Sequence, residues 1–250
     1  MTGFVPIYKR EMWSLWVTPL AWVLLLVFLL LQGGIFYNIV RHFSNLTDLS
    51  LDLGPLQAYF GQQSVLISVT LLLLCPALSM RLFAEERKSG TIEALLTAPV
   101  SPAGAVMGKY LATLSTYVVI WLPTLLYAVL LRDTGSVDWG ALAASYLGVL
   151  GIGASYLAIG LLMSTLTKSQ LVSMMLTVLV QFGIFVLGIG EYVFDAGPLR
   201  DVCAHVSLAG QMEEFSKGIV DLRRLVFDAS LTALALFMAV RVVDSWRSEG

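Results

Sequence analysis

Residues 64–102 read SVLISVTLLLLCPALSM followed by RLFAEERKSGTIEALLTAPVSP. The first seventeen residues, Ser64–Met80, carry no charge, whereas the next twenty-two hold six: Arg81, Glu85, Glu86, Arg87, Lys88 and Glu93. Oily sequence resumes after Pro102. A charge-free run of this kind fits the hydrocarbon layer of a bilayer, which a helix of about 20 apolar residues crosses over roughly 30 Å. The charged segment must then lie in water or at the headgroups, between two crossings.

The rest of the chain repeats the pattern. The 250 residues are 58% hydrophobic and only 13% charged, with mean hydropathy +0.83. A soluble domain carries about 25% charged residues, and one this apolar would expose large associating patches. The composition predicts an all-α polytopic membrane protein in a single transmembrane domain. Membrane spans are expected at 19–40, 64–80, 108–131, 141–163, 170–190 and 225–243. The sixth is the least apolar, and Asp228 and Arg241 are expected to snorkel to opposite interfaces. Residues 1–18 combine Lys9, Arg10 and Glu11 with Tyr8, Trp13 and Trp16, a mixture suited to an interfacial helix. They do not resemble a cleavable signal peptide. Pro76 and Pro123 are expected to disturb their spans.

Six spans place both termini on one side. With the termini inside, the inner segments hold nine basic residues (Lys9, Arg10, Arg81, Arg87, Lys88, Lys109, Lys168, Arg241 and Arg247), against six outside. That bias predicts cytoplasmic termini and a cytoplasmic 82–100 segment. The outer loop 191–224 is expected to carry short helices. One apolar stripe would use Leu199, Val202, Val206 and Leu208; a second would use Met212, Phe215, Ile219 and Leu222.

Within the charged segment, Ile92, Leu95, Leu96 and Pro99 follow the i, i+3, i+4, i+7 spacing of one helical face. Thr91 is placed to cap it and Glu93 to favour the dipole of its first turn. Ser101-Pro102 has the form of a cap and first position of the next helix. Such an amphipathic helix can rest on lipid or fill a partner's groove.

The string Glu86-Arg87-Lys88-Ser89-Gly90-Thr91-Ile92-Glu93-Ala94-Leu95-Leu96-Thr97-Ala98-Pro99 resembles the E-R-x-x-G-T-x-E-x-L-x-x-x-P signature of type-2 ABC exporter permeases. Phe215 to Arg223 resembles the segment before the last span in the branch that includes gliding-motility and nitrous-oxide-reductase-maturation permeases. The resemblance implies a coupling helix in the 82–100 region that docks on a separate P-loop ABC ATPase, through Glu85, Glu86, Arg87, Gly90, Thr91, Glu93, Leu95, Leu96 and Pro99. It implies a second permease copy, identical or related, and a place in the bacterial cytoplasmic (inner) membrane. ATP and Mg would sit on the partner ATPase, with no cofactor on this chain. The polar residues Gln32, Asn38, Thr113, Thr116, Thr124 and Gln181 are candidates for a translocation path, or equally for interhelix glue.

Other chemistry finds little support. Gly104–Tyr110 is one residue short of a P-loop and has Tyr110 where the Mg²⁺-binding hydroxyl belongs. Ser155 has no general base in its span, because the two histidines are His42 and His205. Neither a metal motif nor paired cysteine spacing is present. A net charge of −2 gives no reason to expect nucleic acid. The alternative to an ATP-driven permease is another membrane component, such as an ion-coupled carrier or an envelope scaffold. A proton-coupled carrier would be expected to hold an ionisable residue near mid-membrane.

Overall fold

The computed structural model describes residues 4–44, 54–61, 64–92, 100–132 and 137–248. They form α1 (Phe4–Val17), α2 (Pro19–Ser44), α3 (Pro55–Phe60), α4 (Ser64–Ser79), α5 (Ala84–Ser89), α6 (Pro102–Trp121), a 3₁₀ turn (Leu122–Thr124), α7 (Leu125–Arg132), α8 (Trp139–Leu166), α9 (Gln170–Val193), α10 (Pro198–Val206), α11 (Leu208–Ser216) and α12 (Leu222–Ser248). Among the described residues there is no strand. Six stretches are long and apolar enough to cross a membrane: Pro19–Ser44, Val65–Ser89, Pro102–Arg132, Trp139–Leu166, Gln170–Val193 and Leu222–Trp246.

The spans are not equivalent. The apolar windows of the second and fourth are 67% buried, whereas those of the first, fifth and sixth are 17–22% buried. α8 is therefore the central post, packed against α4, α6, α9, α11 and most extensively α12. The outer helices present Leu26, Leu30, Leu171, Met175, Leu179 and Phe237 to their surroundings. Such continuous apolar exposure would associate in water but is satisfied by lipid.

Local sequence explains the helix boundaries. Ser101 Oγ accepts a hydrogen bond from Gly104 N (3.1 Å), with Pro102 in the first turn, as that residue pair predicts. Asp138 Oδ1 caps α8 through Gly140 N and Ala141 N. At Pro123 the third span tightens into its 3₁₀ turn, since proline has no N–H to continue the ladder. Pro76 is accommodated within α4. Gly90 ends α5 with φ +74°, the left-handed cap that glycine adopts without penalty.

The loop before the last span folds inward. Met212 and Phe215 of α11 are buried against Gly148 of α8, where an added Cβ would collide with both. Of the two expected stripes, the first is turned differently: Leu199 and Val202 are exposed and Cys203 is buried. The second keeps Met212 and Phe215, but Ile219 and Leu222 lie beyond the end of α11 and are exposed.

Asp228 departs from expectation. It does not snorkel: it is 6% exposed, and its Oδ2 accepts a hydrogen bond from Gln211 Nε2 at 2.8 Å. The inward fold of α11 supplies the donor, so the carboxylate need not reach an interface. Arg241, near the other end of α12, is exposed and lies over the Phe237 ring.

Candidate coupling and docking site

The charged segment leaves the bundle through α5, and the root of that helix is fixed on several sides. Phe83 N donates to Ser164 Oγ (3.3 Å) near the end of α8. Arg87 Nη1 donates to Thr165 O (2.7 Å), one of the carbonyls left open by the end of that helix. The Arg87 guanidinium also lies 4.6 Å from the centre of the Trp246 ring on α12, a cation–π arrangement. One arginine thus ties α5 to the ends of the fourth and sixth spans.

Glu86 faces the other way. Its Oε1 accepts from Arg10 Nη2 at 2.5 Å and lies 3.0 Å from Lys109 Nζ. Lys109 Nζ also donates to Glu11 Oε1 at 2.5 Å, and Arg10 closes the ring with a 3.1 Å contact to Glu11. Lys109 is 1% exposed and sits over the Phe83 ring. A buried ammonium is tolerated only when paired, and here two carboxylates from distant parts of the chain meet it. Burial would push the Glu11 carboxyl up, but the Lys109 ammonium, assisted by Arg10, outweighs this and holds it below the usual carboxylate range. Arg81 Nη2 adds a bond to Ser14 O (3.1 Å). These groups line a polar cavity of about 250 Å³ between α1, α5 and the start of α6.

The expected docking residues therefore divide. Glu86 and Arg87 point into the chain's own framework. Glu85 and Gly90 are exposed, and so is Thr91, whose hydroxyl lies 2.9 Å from Ser89 Oγ. Glu93, Leu95, Leu96 and Pro99 lie outside the described residues. Arg10, Glu11 and Lys109 were not among the residues that the sequence singled out for this site. Lys109 drew notice as one of the inner basic residues and as an imperfect P-loop lysine, and its partners lie 98 and 23 positions away, beyond any local pattern.

The expected path residues mostly hold helices together. Gln32 accepts from Tyr59 Oη (2.6 Å), Thr124 lies 2.7 Å from Tyr146 Oη, and Gln181 Nε2 donates to Tyr156 O (3.0 Å). Thr113 and Thr116 donate to carbonyls one turn back, and all five are buried. Asn38 alone among the six is exposed, bonded to Gly34 O. Small residues of the fourth span face the chain's own side chains, Gly153 against Tyr117 and Gly160 against Ser79. Both cysteines are buried and free, and the described residues contain no cluster of three His, Cys, Asp or Glu able to hold a metal.

At the opposite end of the bundle, Arg224 (7% exposed) gathers the loop helices. It donates to Glu214 Oε1 and Oε2 (2.9 and 2.8 Å) and to the carbonyls of Ala204 and Ser207 (2.9 and 3.1 Å). With Gln211–Asp228, this joins α11 to the first turns of α12 at two points.

No curated protein matches the chain. A protein-family model described as "ABC-2 family transporter protein" matches residues 5–197.

Proposed function

Because the chain belongs to the ABC-2 transporter family, we propose that it is the membrane-spanning permease subunit of an ATP-driven ABC transporter, working as an exporter. The observation that carries this reading, beside the family match, is the bracing of α5. A segment that receives force from a partner has to pass it to the bundle without slack. Glu86 and Arg87 supply that connection, since they link the root of the segment to α1, α6, α8 and α12. The force would come from a separate P-loop ATPase carrying ATP and Mg. Docking would use the exposed Glu85, Gly90 and Thr91, with Glu93, Leu95, Leu96 and Pro99 following in sequence. A second permease copy, identical or related, would complete the transmembrane unit. Six spans and the bias of basic residues support cytoplasmic termini, and the resemblance of the 86–99 motif is what suggests a bacterial inner membrane.

The test is co-purification from the native host in mild detergent. The wild-type chain brings down a protein with a P-loop sequence, identified by mass spectrometry, and Glu93→Ala with Leu96→Ala releases it. A wild-type preparation without any such ATPase overturns the assignment.

One observation favours a second reading. Asp228 is an ionisable residue buried in a spanning helix, the kind of group an ion-coupled carrier uses. In that case transport would follow an ion gradient without ATP and would be abolished in Asp228→Asn.

A further inference from the structure

One face of α12 is turned toward the bundle along most of its length, half-buried at Leu231 and Thr232 and at Trp246, and buried at the positions between and before them. It begins at Asp228, held by Gln211 of α11, and continues through Ala235, Ala239 and Val243, which are 3%, 0% and 2% exposed. It ends at Trp246, under the Arg87 guanidinium and edge-on to Phe83 (ring centres 6.1 Å apart). The eighteen residue-to-residue steps from Asp228 to Trp246 cover about 27 Å at 1.5 Å per residue, close to the thickness of the hydrocarbon layer. No proline or glycine interrupts them. Along this length α12 lies against α8, the most extensive helix pairing in the molecule.

The two ends of α12 carry different kinds of joint. At the Trp246 end the link is a flat ring under a guanidinium, and the same guanidinium reaches the end of α8 through Thr165 O. At the Asp228 end there are two polar links to α11: Gln211–Asp228, and the fork of Arg224 on Glu214. The helix α11 that they hold is the one whose Met212 and Phe215 enter the bundle beside Gly148.

We propose that α12 is the rod by which displacement of the coupling segment reaches the opposite face of the membrane, with Trp246 as the positioning residue at its driven end and the Gln211–Asp228 and Arg224–Glu214 pairs as the joint to the segment α10–α11, which receives the stroke. The proposal rests on the permease reading. It adds which span carries the stroke and which element receives it. A continuous helix suits the task because its hydrogen-bonded backbone resists compression, and a displacement of Trp246 along the axis reappears at Asp228. The small side chains Ala235 and Ala239 leave a smooth contact along which such a displacement can pass.

The test uses the full-length permease with its co-purified ATPase in lipid nanodiscs. Spin labels are placed at the exposed positions Arg132→Cys and Lys217→Cys; the two native cysteines are buried. Distances are measured by pulsed electron spin resonance without nucleotide and in the vanadate-trapped state. The wild-type distance distribution shifts on trapping. In Trp246→Ala the shift is lost although the ATPase still co-purifies and traps nucleotide, and Trp246→Phe, which keeps a ring under Arg87, restores it. The double variant Gln211→Ala/Arg224→Gln cuts the far joint, remote from the ATPase, and loses the shift as well. A shift that persists in either cut variant, or its absence in the wild type with ATPase bound, overturns the rod. A wild-type preparation that binds no ATPase overturns the permease reading itself, and the rod with it.

Discussion

Lys109 Nζ lies 2.5 Å from Glu11 Oε1, joining the third span to the amino-terminal helix across 98 residues of sequence. Glu86 shares the same ammonium at 3.0 Å. Removing one partner from a buried charge group costs up to about 3–5 kcal/mol; without Lys109 the two carboxylates are left to share the largely exposed Arg10. Lys109→Met therefore lowers the thermal unfolding midpoint in detergent, and adding Glu86→Gln to it recovers part of the loss. A single variant as stable as the wild type would show that this network contributes nothing.

Acid acts on the same cluster. The folded-state pKa of Glu11 is depressed from its ordinary value of 4.5. A depressed carboxylate adds stability above its unfolded pKa, and that contribution is lost as pH falls through the folded pKa. The unfolding midpoint should thus fall with acidification below pH 4.5, and Glu11→Gln should flatten that part of the profile while lowering stability at neutral pH. Parallel profiles for the two proteins would contradict this.

Gly148 is required by its neighbours. A side chain at this position meets Phe215 and Met212 at once, and overpacking of a filled core costs typically 1–3 kcal/mol. Gly148→Val should push α11 out of its seat. Hydrogen exchange over 208–216 should then rise, with α6 and α8 near their wild-type protection. Unchanged exchange over 208–216 would mean that the seat has room to spare.

Arg224 offers a cleaner cut at the same place. Hydrogen bonds to a charged group are worth about 1.5–3 kcal/mol, and Arg224 makes four. Arg224→Met should accelerate proteolysis between Ala204 and Lys217 without altering protease resistance elsewhere in the chain.

The helix start at Ser101 can be tested alone. Its Oγ satisfies Gly104 N, and loss of such a cap costs about 1 kcal/mol. Ser101→Ala should lower stability by that amount, and Ser101→Asp should retain most of it.

The charged segment 81–102 shows how far local sequence reaches. Its charges stood out because they interrupt an apolar chain, and the motif from Glu86 to Pro99 supported a family that the match over 5–197 bears out. The directions of Glu86 and Arg87 were not legible in the same way. Helical periodicity says which residues share a face, but the partners of these two lie on α1, α6, α8 and α12, and only packing brings those helices together.

Asp228 makes the same distinction. Hydropathy registered an acid near the end of a span and assigned it to an interface. What satisfies the carboxylate is Gln211, on a helix that turns back into the bundle. The sequence by itself determined the solvent of this protein, its six crossings and its all-helical class, because the hydrocarbon layer leaves an apolar run of that length little choice but a hydrogen-bonded helix. Only the tertiary structure decided which polar groups meet. Each buried charge is stable only beside a particular partner, and such partners are selected by three-dimensional packing over distances that sequence spacing does not encode.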